Sequence, residues 1–213
     1  MSVRRSRATI LRRRARRRRE WKRMLRIAAI TVSVALAASA LLVGIGMLTR
    51  QSPSETYCVT EPSTFPAQGV DGWSGDQLEN AAIIVRTAQG MGFERDGQIL
   101  GVMAAMGESS LHNIDYGDWE TSGVTNPDGS RTTSVGLFQQ QKWWGSVAER
   151  MDPAVAAGKF YARLKKLPDW QGMPASHAIH RVQVNADQEH YARFQGDAED
   201  VVDALSGECG GRA

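Results

Sequence analysis

The sequence predicts a mainly α-helical domain that follows a single transmembrane helix. An uncharged run of 23 residues near the N-terminus predicts the transmembrane helix. Beyond residue 75, apolar residues recur at the spacing of helices that bury one face. Charge follows the same division, because 13 Lys and Arg precede the uncharged run and 22 acidic residues follow it. We therefore expect a membrane protein with an acidic, helical domain on one side.

Residues 1–26 form a strongly basic segment, with 13 Lys and Arg and a single acid, Glu20. Alone, such a segment also suggests nucleic-acid binding. The apolar run that follows favours a cytoplasmic tail, because basic residues stay on the cytoplasmic side of a membrane helix. We expect this tail to contact anionic lipid and not nucleic acid.

The apolar run at 27–49 is long enough to cross a bilayer. As a helix it would extend roughly 34 Å, against about 30 Å for the hydrocarbon core. The basic residues before it place the C-terminal domain outside the cytoplasm. A cleaved signal peptide, which would give a secreted protein, is the alternative because Ala38-Ser39-Ala40 has the form of a cleavage site. Residues 41–48 continue the apolar run beyond that site and favour the uncleaved anchor.

Residues 50–75 have the composition of an extracytoplasmic linker, with three prolines, several small polar residues and no periodic apolar pattern. The chain has two cysteines, Cys58 and Cys209, both beyond the predicted membrane helix. An even number of cysteines in an oxidising compartment favours a disulfide over two free thiols. We therefore predict a Cys58–Cys209 bond that encloses almost the whole outer domain.

Residues 76–207 form the predicted domain, and 208–213 form a short tail. Apolar residues have helical spacing in five segments: 76–89, 96–109, 152–166, 174–184 and 187–205. Asp152-Pro153 is typical of a helix start, since Pro is favoured at the first helical position. Helical signals stop between 110 and 143, where Asn126-Pro127-Asp128-Gly129 predicts a turn. Loops of this length are often functional.

Glu108 lies near the end of the segment at 96–109, in a position unfavourable to its charge. Residues 97–107 carry no charge, which indicates a helix buried on most faces. Burial and the negative end of the helix dipole both favour the protonated carboxyl group, so we expect a raised pKa. A carboxylic acid that keeps its proton near neutral pH is suited to cleaving a glycosidic bond.

Short motifs accompany Glu108. Ser109 follows it directly, Tyr116-Gly117-Asp118 begins the loop, and Gly136-Leu137-Phe138-Gln139 ends it. In this order and spacing, residues 76–205 resemble the lytic transglycosylases and goose-type lysozymes, in particular the cell-wall hydrolase domains of actinobacteria.

The resemblance implies a lysozyme-like helical fold that cleaves the β-1,4 bond between N-acetylmuramic acid and N-acetylglucosamine in peptidoglycan. Glu108 would act as general acid and then as base, giving a 1,6-anhydro or a hydrolysed product. Gly136, Leu137, Phe138 and Gln139 would line the floor of the cleft. Ser109, Tyr116 and Asp118 would complete the substrate-binding site, and no cofactor is needed.

One departure from this family concerns a Tyr that hydrogen-bonds the catalytic Glu from a later helix. The corresponding residues 178–183 read Ala-Ile-His-Arg-Val-Gln, so we expect Gln183 to take its place. The missing Tyr supports an alternative, a non-catalytic peptidoglycan-binding or scaffold protein on a degenerate version of the fold.

Other candidate sites have less support. His177 and His180 are three residues apart, but no HExxH motif or Cys ligand set accompanies them, and we predict no metal site. Among the loop acids, Asp118 is the main candidate for a second carboxylate near Glu108. Aromatic loop residues suit either sugar stacking or loop anchoring, and these are Tyr116, Trp119, Trp143 and Trp144.

Overall fold

The uncharged segment that carries Glu108 forms a central helix. The computed structural model of the protein describes residues 56–207 and Cys209. Seven α-helices occur within them: α1 Asp76–Gly90, α2 Arg95–Ser109, α3 Asp118–Ser122, α4 Val147–Met151, α5 Pro153–Leu164, α6 Ala175–Gln183 and α7 Gln195–Ala204. This part of the chain has isolated β-bridges but no strand. The predicted mainly α-helical fold is therefore confirmed.

Helix α2 packs against α1, α5, α6 and α7. Nine of its residues are buried, including every residue from 99 to 106, so no face of its middle is left to solvent. Small residues allow this close packing. At Gly101, a Cβ atom would lie 2.0 Å from the hydroxyl oxygen of Tyr161 in α5. The prediction of a helix buried on most faces is confirmed.

Four of the five predicted helices match the structure to within two residues at each end. Asp152 caps α5, since its Oδ1 accepts hydrogen bonds of 3.0 Å from the backbone N–H groups of Ala154 and Val155. The fifth predicted helix, at 187–205, begins only at Gln195. Before it, the Ser176 hydroxyl of α6 donates to the Gln188 carbonyl and accepts from the Tyr191 N–H. These bonds replace helical ones and hold residues 188–191 against α6.

The predicted linker at 50–75 differs from the structure over its described residues. Val59 and Val70 are buried in the core, and the Tyr57 N–H donates to the Ala204 carbonyl at 2.6 Å. The segment from residue 56 onward is therefore part of the folded domain. The predicted disulfide between Cys58 and Cys209 is confirmed, and it joins the two ends of this domain.

The basic tail at 1–26 and the transmembrane helix at 27–49 lie outside the described residues, as do residues 50–55, 208 and 210–213. Within the described part of the chain, no helix has the length and apolar character needed to span a membrane.

Candidate active site

Glu108 lies in the last turn of α2 and keeps part of its surface exposed. The hydroxyl group of Tyr191 donates a hydrogen bond to Glu108 Oε1. Tyr191 is fully buried, so its ring and hydroxyl are held in place by the core. The expectation that no Tyr hydrogen-bonds Glu108 is therefore wrong. The Tyr comes from the turn before α7, eight residues beyond Gln183.

Burial is the largest influence on the Glu108 carboxyl group, and its pKa is raised to about 7. The hydrogen bond from Tyr191 lowers this pKa, the negative charge of Asp118 raises it, and a hydrogen bond with Gln183 lowers it. The predicted direction of the shift is confirmed. At neutral pH the group is close to half protonated, so it can either give or accept a proton.

Tyr191 remains a hydrogen-bond donor under these conditions. Burial, and then the nearby Glu108 carboxylate, raise the pKa of the Tyr191 hydroxyl above its ordinary value. The phenol therefore keeps its proton across the working range of most enzymes. Its single O–H group points at Glu108 and favours the ionised form of that carboxyl group.

Gly107 allows the Tyr191 ring to reach this position. A Cβ atom at Gly107 would lie 2.5 Å from Tyr191 Cδ1, well inside contact distance. On another side, the His190 ring meets the Tyr191 ring edge to face, with centroids 4.8 Å apart. His190 Nε2 donates to the Gly107 carbonyl at 3.2 Å. The lack of a side chain at Gly107, directly before Glu108, thus leaves room for the Tyr191 ring that bonds Glu108.

Ser109 and Gln183 attach the motif at 136–139 to the helices. Ser109 Oγ donates to the Leu137 carbonyl at 2.8 Å, and Gln183 Nε2 donates to the Phe138 carbonyl at 3.0 Å. The Leu137 and Phe138 side chains are buried, and Phe138 stacks on Phe160. Both side chains therefore face the core, and the part that these residues would play in the floor of a cleft stays a prediction. They anchor the segment to the core, and Ser109 and Gln183 fix its backbone.

Gly136 and Gln139 also shape this segment. At Gly136, with φ 79°, a Cβ atom would lie 2.1 Å from the Arg150 carbonyl oxygen. Gln139 is partly exposed, and its Nε2 donates to the carbonyls of Tyr116 and Gly136, both at 3.2 Å. Gly117 packs against Ser134, since a Cβ atom there would lie 2.5 Å from the Ser134 carbonyl oxygen. The two loop motifs are thus in direct contact.

Arg150 is a structural residue of the site that the sequence does not reveal. It is only 4% exposed, and its guanidinium group donates hydrogen bonds to four backbone carbonyls. Two of these, Thr133 at 2.5 Å and Gln140 at 2.8 Å, flank the motif at 136–139. The other two belong to Gly145 and Ser146. The Arg150 side chain thus holds the backbone on both sides of the motif at 136–139.

The predicted loop residues divide into exposed and anchoring groups. Asp118 is exposed at the start of α3, and its charge reaches Glu108. Tyr116 and Trp143 are 46% and 58% exposed, so their rings are accessible to a ligand. Trp144 is buried, with the Arg163 guanidinium 3.4 Å above its ring centroid. Trp119 is partly buried and packs with Arg131.

The two histidines of α6 have protein partners. His177 pairs with Glu189, and His180 Nδ1 bonds Asn185 Oδ1 at 2.6 Å. Among the residues that the structure describes, no group of three or more His, Cys, Asp or Glu side chains could hold an ion.

Glu108 therefore lies where α2, the turn that carries Tyr191, the end of α6 and the two loop motifs meet. Of the predicted site residues, Asp118 and Gln183 both influence the pKa of Glu108. Ser109 and Gln183 bond the motif at 136–139, and Gln139 bonds the carbonyl of Tyr116. The sequence matches no protein-family model and no curated protein.

Proposed function

We propose that this protein cleaves the glycan strands of peptidoglycan at the β-1,4 bond between N-acetylmuramic acid and N-acetylglucosamine. The observation that carries the proposal is Glu108 itself, a partly exposed carboxyl group with a pKa of about 7 and a fixed Tyr191 donor. The motif resemblance supports the same reaction and a lysozyme-like version of the helical fold. Glu108 is the general acid and then the base of this reaction.

In the first step, protonated Glu108 donates its proton to the glycosidic oxygen as the bond to the anomeric carbon breaks. Positive charge then develops on the sugar ring. Hydrogen bonds with Tyr191 and Gln183 stabilise the carboxylate that is left behind, as their lowering effect on the pKa shows. The charge of Asp118 acts before and during this step, because it favours the protonated acid and the developing cation.

In the second step, the Glu108 carboxylate removes a proton from the attacking hydroxyl group. If that hydroxyl is the 6-hydroxyl of the muramyl residue, the product is a 1,6-anhydro sugar. If it belongs to water, the product is a hydrolysed reducing end. Either route returns the proton to Glu108 and requires a single catalytic carboxylate.

The predicted membrane anchor would place this chemistry at the cell wall. A helix at 27–49, with a cytoplasmic tail that contacts anionic lipid, would hold the domain on the outer face of the membrane. The Cys58–Cys209 bond supports this location, since disulfides persist in oxidising compartments.

Product analysis tests the proposed reaction. Purified peptidoglycan is digested by the full-length protein in detergent, in water enriched in ¹⁸O, and the soluble products are analysed by mass spectrometry. A transglycosylase gives anhydro ends without ¹⁸O, whereas a hydrolase gives reducing ends that contain ¹⁸O. Binding to peptidoglycan with neither product would contradict the proposal and favour the alternative of a non-catalytic wall-binding protein. The first reason for that alternative, a missing Tyr, no longer applies because Tyr191 bonds Glu108.

A further inference from the structure

Two adjoining cavities lie at the opposite end of α2 from Glu108. Their volumes are about 400 and 290 Å³, near the lower end of the usual range for small-molecule sites, roughly 300–1,000 Å³. Asp96, Trp170 and Gln171 line both cavities. Asp96 and Glu108 are separated by about 18 Å along the axis of α2. The cavities are therefore no part of the site around Glu108.

Trp170 lines both cavities. It begins the short helical turn Trp170–Gly172, after Asp169, whose φ of 53° turns the backbone sharply. On one side its ring packs against Phe93, with centroids 5.9 Å apart. The residue is partly buried and borders both cavities. A supported aromatic ring beside open space suits the C–H face of a sugar.

The polar groups around Trp170 are mainly hydrogen-bond acceptors. Glu94, Asp96 and Gln171 are exposed, and their side chains have no hydrogen-bond partner within the described part of the chain. Arg95 makes its salt bridge with Asp203 and not with Asp96, through two hydrogen bonds of 2.6 and 2.7 Å. Unengaged carboxylates beside an aromatic ring favour a ligand with many hydroxyl donors.

We propose that the cavities lined by Trp170 bind a second stretch of glycan. Trp170 stacks on one sugar, and Glu94, Asp96 and Gln171 accept hydrogen bonds from hydroxyl groups. Lys165, which lines the larger cavity, donates to an acetamido carbonyl. The acidic lining disfavours the carboxylates of stem peptides, so the ligand is the sugar backbone. The identity of the polymer rests on the proposed function, and the second site keeps the enzyme on the wall between cleavage events.

Binding to insoluble peptidoglycan tests this site. The full-length protein carries Glu108→Gln throughout, so that the polymer is not consumed. Trp170→Ala and the double variant Asp96→Asn/Gln171→Ala are each expected to weaken binding at least tenfold. Glu79→Gln is the matched control, since it removes an exposed acid from the first turn of α1, and it should bind as the parent does. Because Trp170 contacts Phe93, the double variant tests the site without disturbing the core.

Competition and turnover identify the ligand. A β-1,4-linked N-acetylglucosamine tetramer should compete with the polymer for the parent protein, whereas a free stem peptide should not. With Glu108 restored, the double variant should cleave a soluble peptidoglycan tetrasaccharide within twofold of the parent rate. Unchanged polymer binding by the double variant, or competition by the stem peptide alone, would overturn the proposal. Failure of the proposed function looks different, because no variant would then cleave either substrate while polymer binding still depended on Trp170.

Discussion

Glu108 has a pKa near neutral pH because two kinds of influence oppose each other. Burial raises the pKa most strongly, and the charge of Asp118 adds to it. Hydrogen bonds with Tyr191 and Gln183 act in the opposite direction, since they favour the carboxylate. Each neighbour should therefore shift the titration of Glu108 in a direction that its chemistry determines.

Substitutions at Tyr191 and Asp118 should shift the activity profile in opposite directions. The rate should fall at high pH as Glu108 loses its proton, with a midpoint near its pKa of about 7. Tyr191→Phe removes a bond that lowers this pKa, so the falling limb should move to higher pH. Asp118→Asn removes a charge that raises it, so the limb should move to lower pH. The measurement is kcat/KM for glycan release between pH 4 and 9, and shifts in the same direction would contradict the assignment.

The free energy of unfolding should also depend on pH through the protonation of Glu108. The pKa rises from 4.5 to about 7 on folding, so the folded state binds this proton more tightly than the unfolded chain. The resulting stabilisation is present below about pH 4.5 and is lost as the pH rises through about 7. Glu108→Gln removes this dependence and should unfold roughly 7–14 °C above the parent protein at pH 8. Thermal unfolding at pH 4.5 should show a much smaller difference between the two proteins. An equal difference at both pH values would contradict a raised pKa of Glu108 in the folded state.

At the scale of elements, the junction between α2 and the turn before α7 positions the candidate acid. Gly107 leaves room for the Tyr191 ring, and Ser176 of α6 holds the Tyr191 backbone. The hydrogen bond to Glu108 therefore depends on close packing between three segments. A small increase in side-chain volume at this junction should affect catalysis.

Two glycine substitutions provide a matched test of this packing. Gly107→Ala places a methyl group 2.5 Å from Tyr191 Cδ1, whereas the same change at Gly158 in α5 meets Thr87 Cγ2 at 4.0 Å. We expect Gly107→Ala to destabilise the fold by about 1–3 kcal/mol and to lower the rate of glycan cleavage at least tenfold. Gly158→Ala should stabilise it by about 0.5–1 kcal/mol, because Ala favours helix. Urea unfolding and rates on peptidoglycan measure both effects, and similar activity in the two variants would contradict the role of Gly107.

The helices could be predicted from the sequence because each buries a periodic apolar face. The helix predicted at 187–205 is shorter in the structure because of a tertiary contact. The Ser176 hydroxyl bonds the carbonyl of residue 188 and the N–H of residue 191, in place of helical partners. The bond between Tyr191 and Glu108 could not be predicted, because no local motif links the two residues. The burial of the Leu137 and Phe138 side chains could not be predicted from their motif, because a motif does not show which side of a loop its side chains face. Their burial against Phe160 depends on the packing of α5.

At the scale of the whole domain, the first and last segments that the structure describes are joined to each other. Cys58 and Cys209 are bonded across 151 residues of sequence. Backbone hydrogen bonds reinforce this closure, from Tyr57 N–H to the Ala204 carbonyl and from Gly207 N–H to the Tyr57 carbonyl. The folded domain therefore includes residues 56–75 of the segment predicted as a linker.

Removal of the disulfide should destabilise the domain without changing its site. Joining residues so far apart in sequence restricts the unfolded chain, which corresponds to roughly 5 kcal/mol in the chain-entropy model. We expect Cys58→Ser/Cys209→Ser to lose between about 2 and 5 kcal/mol of unfolding free energy in urea. Activity at low temperature should persist, since Glu108 and Tyr191 make no contact with either cysteine in the described structure. A loss of stability below about 1 kcal/mol would show that the bond adds little to the backbone closure.

The central claim is that the Glu108 carboxyl group transfers the proton in glycan cleavage. Its most direct test is the rate at which new glycan ends form in purified peptidoglycan, measured for the parent protein, Glu108→Gln and the exposed control Glu79→Gln. The claim predicts that Glu108→Gln is slower by about 10²–10⁴-fold, the usual contribution of a general acid–base group. Glu79→Gln should match the parent. Equal rates for the parent and a folded Glu108→Gln protein would contradict the claim.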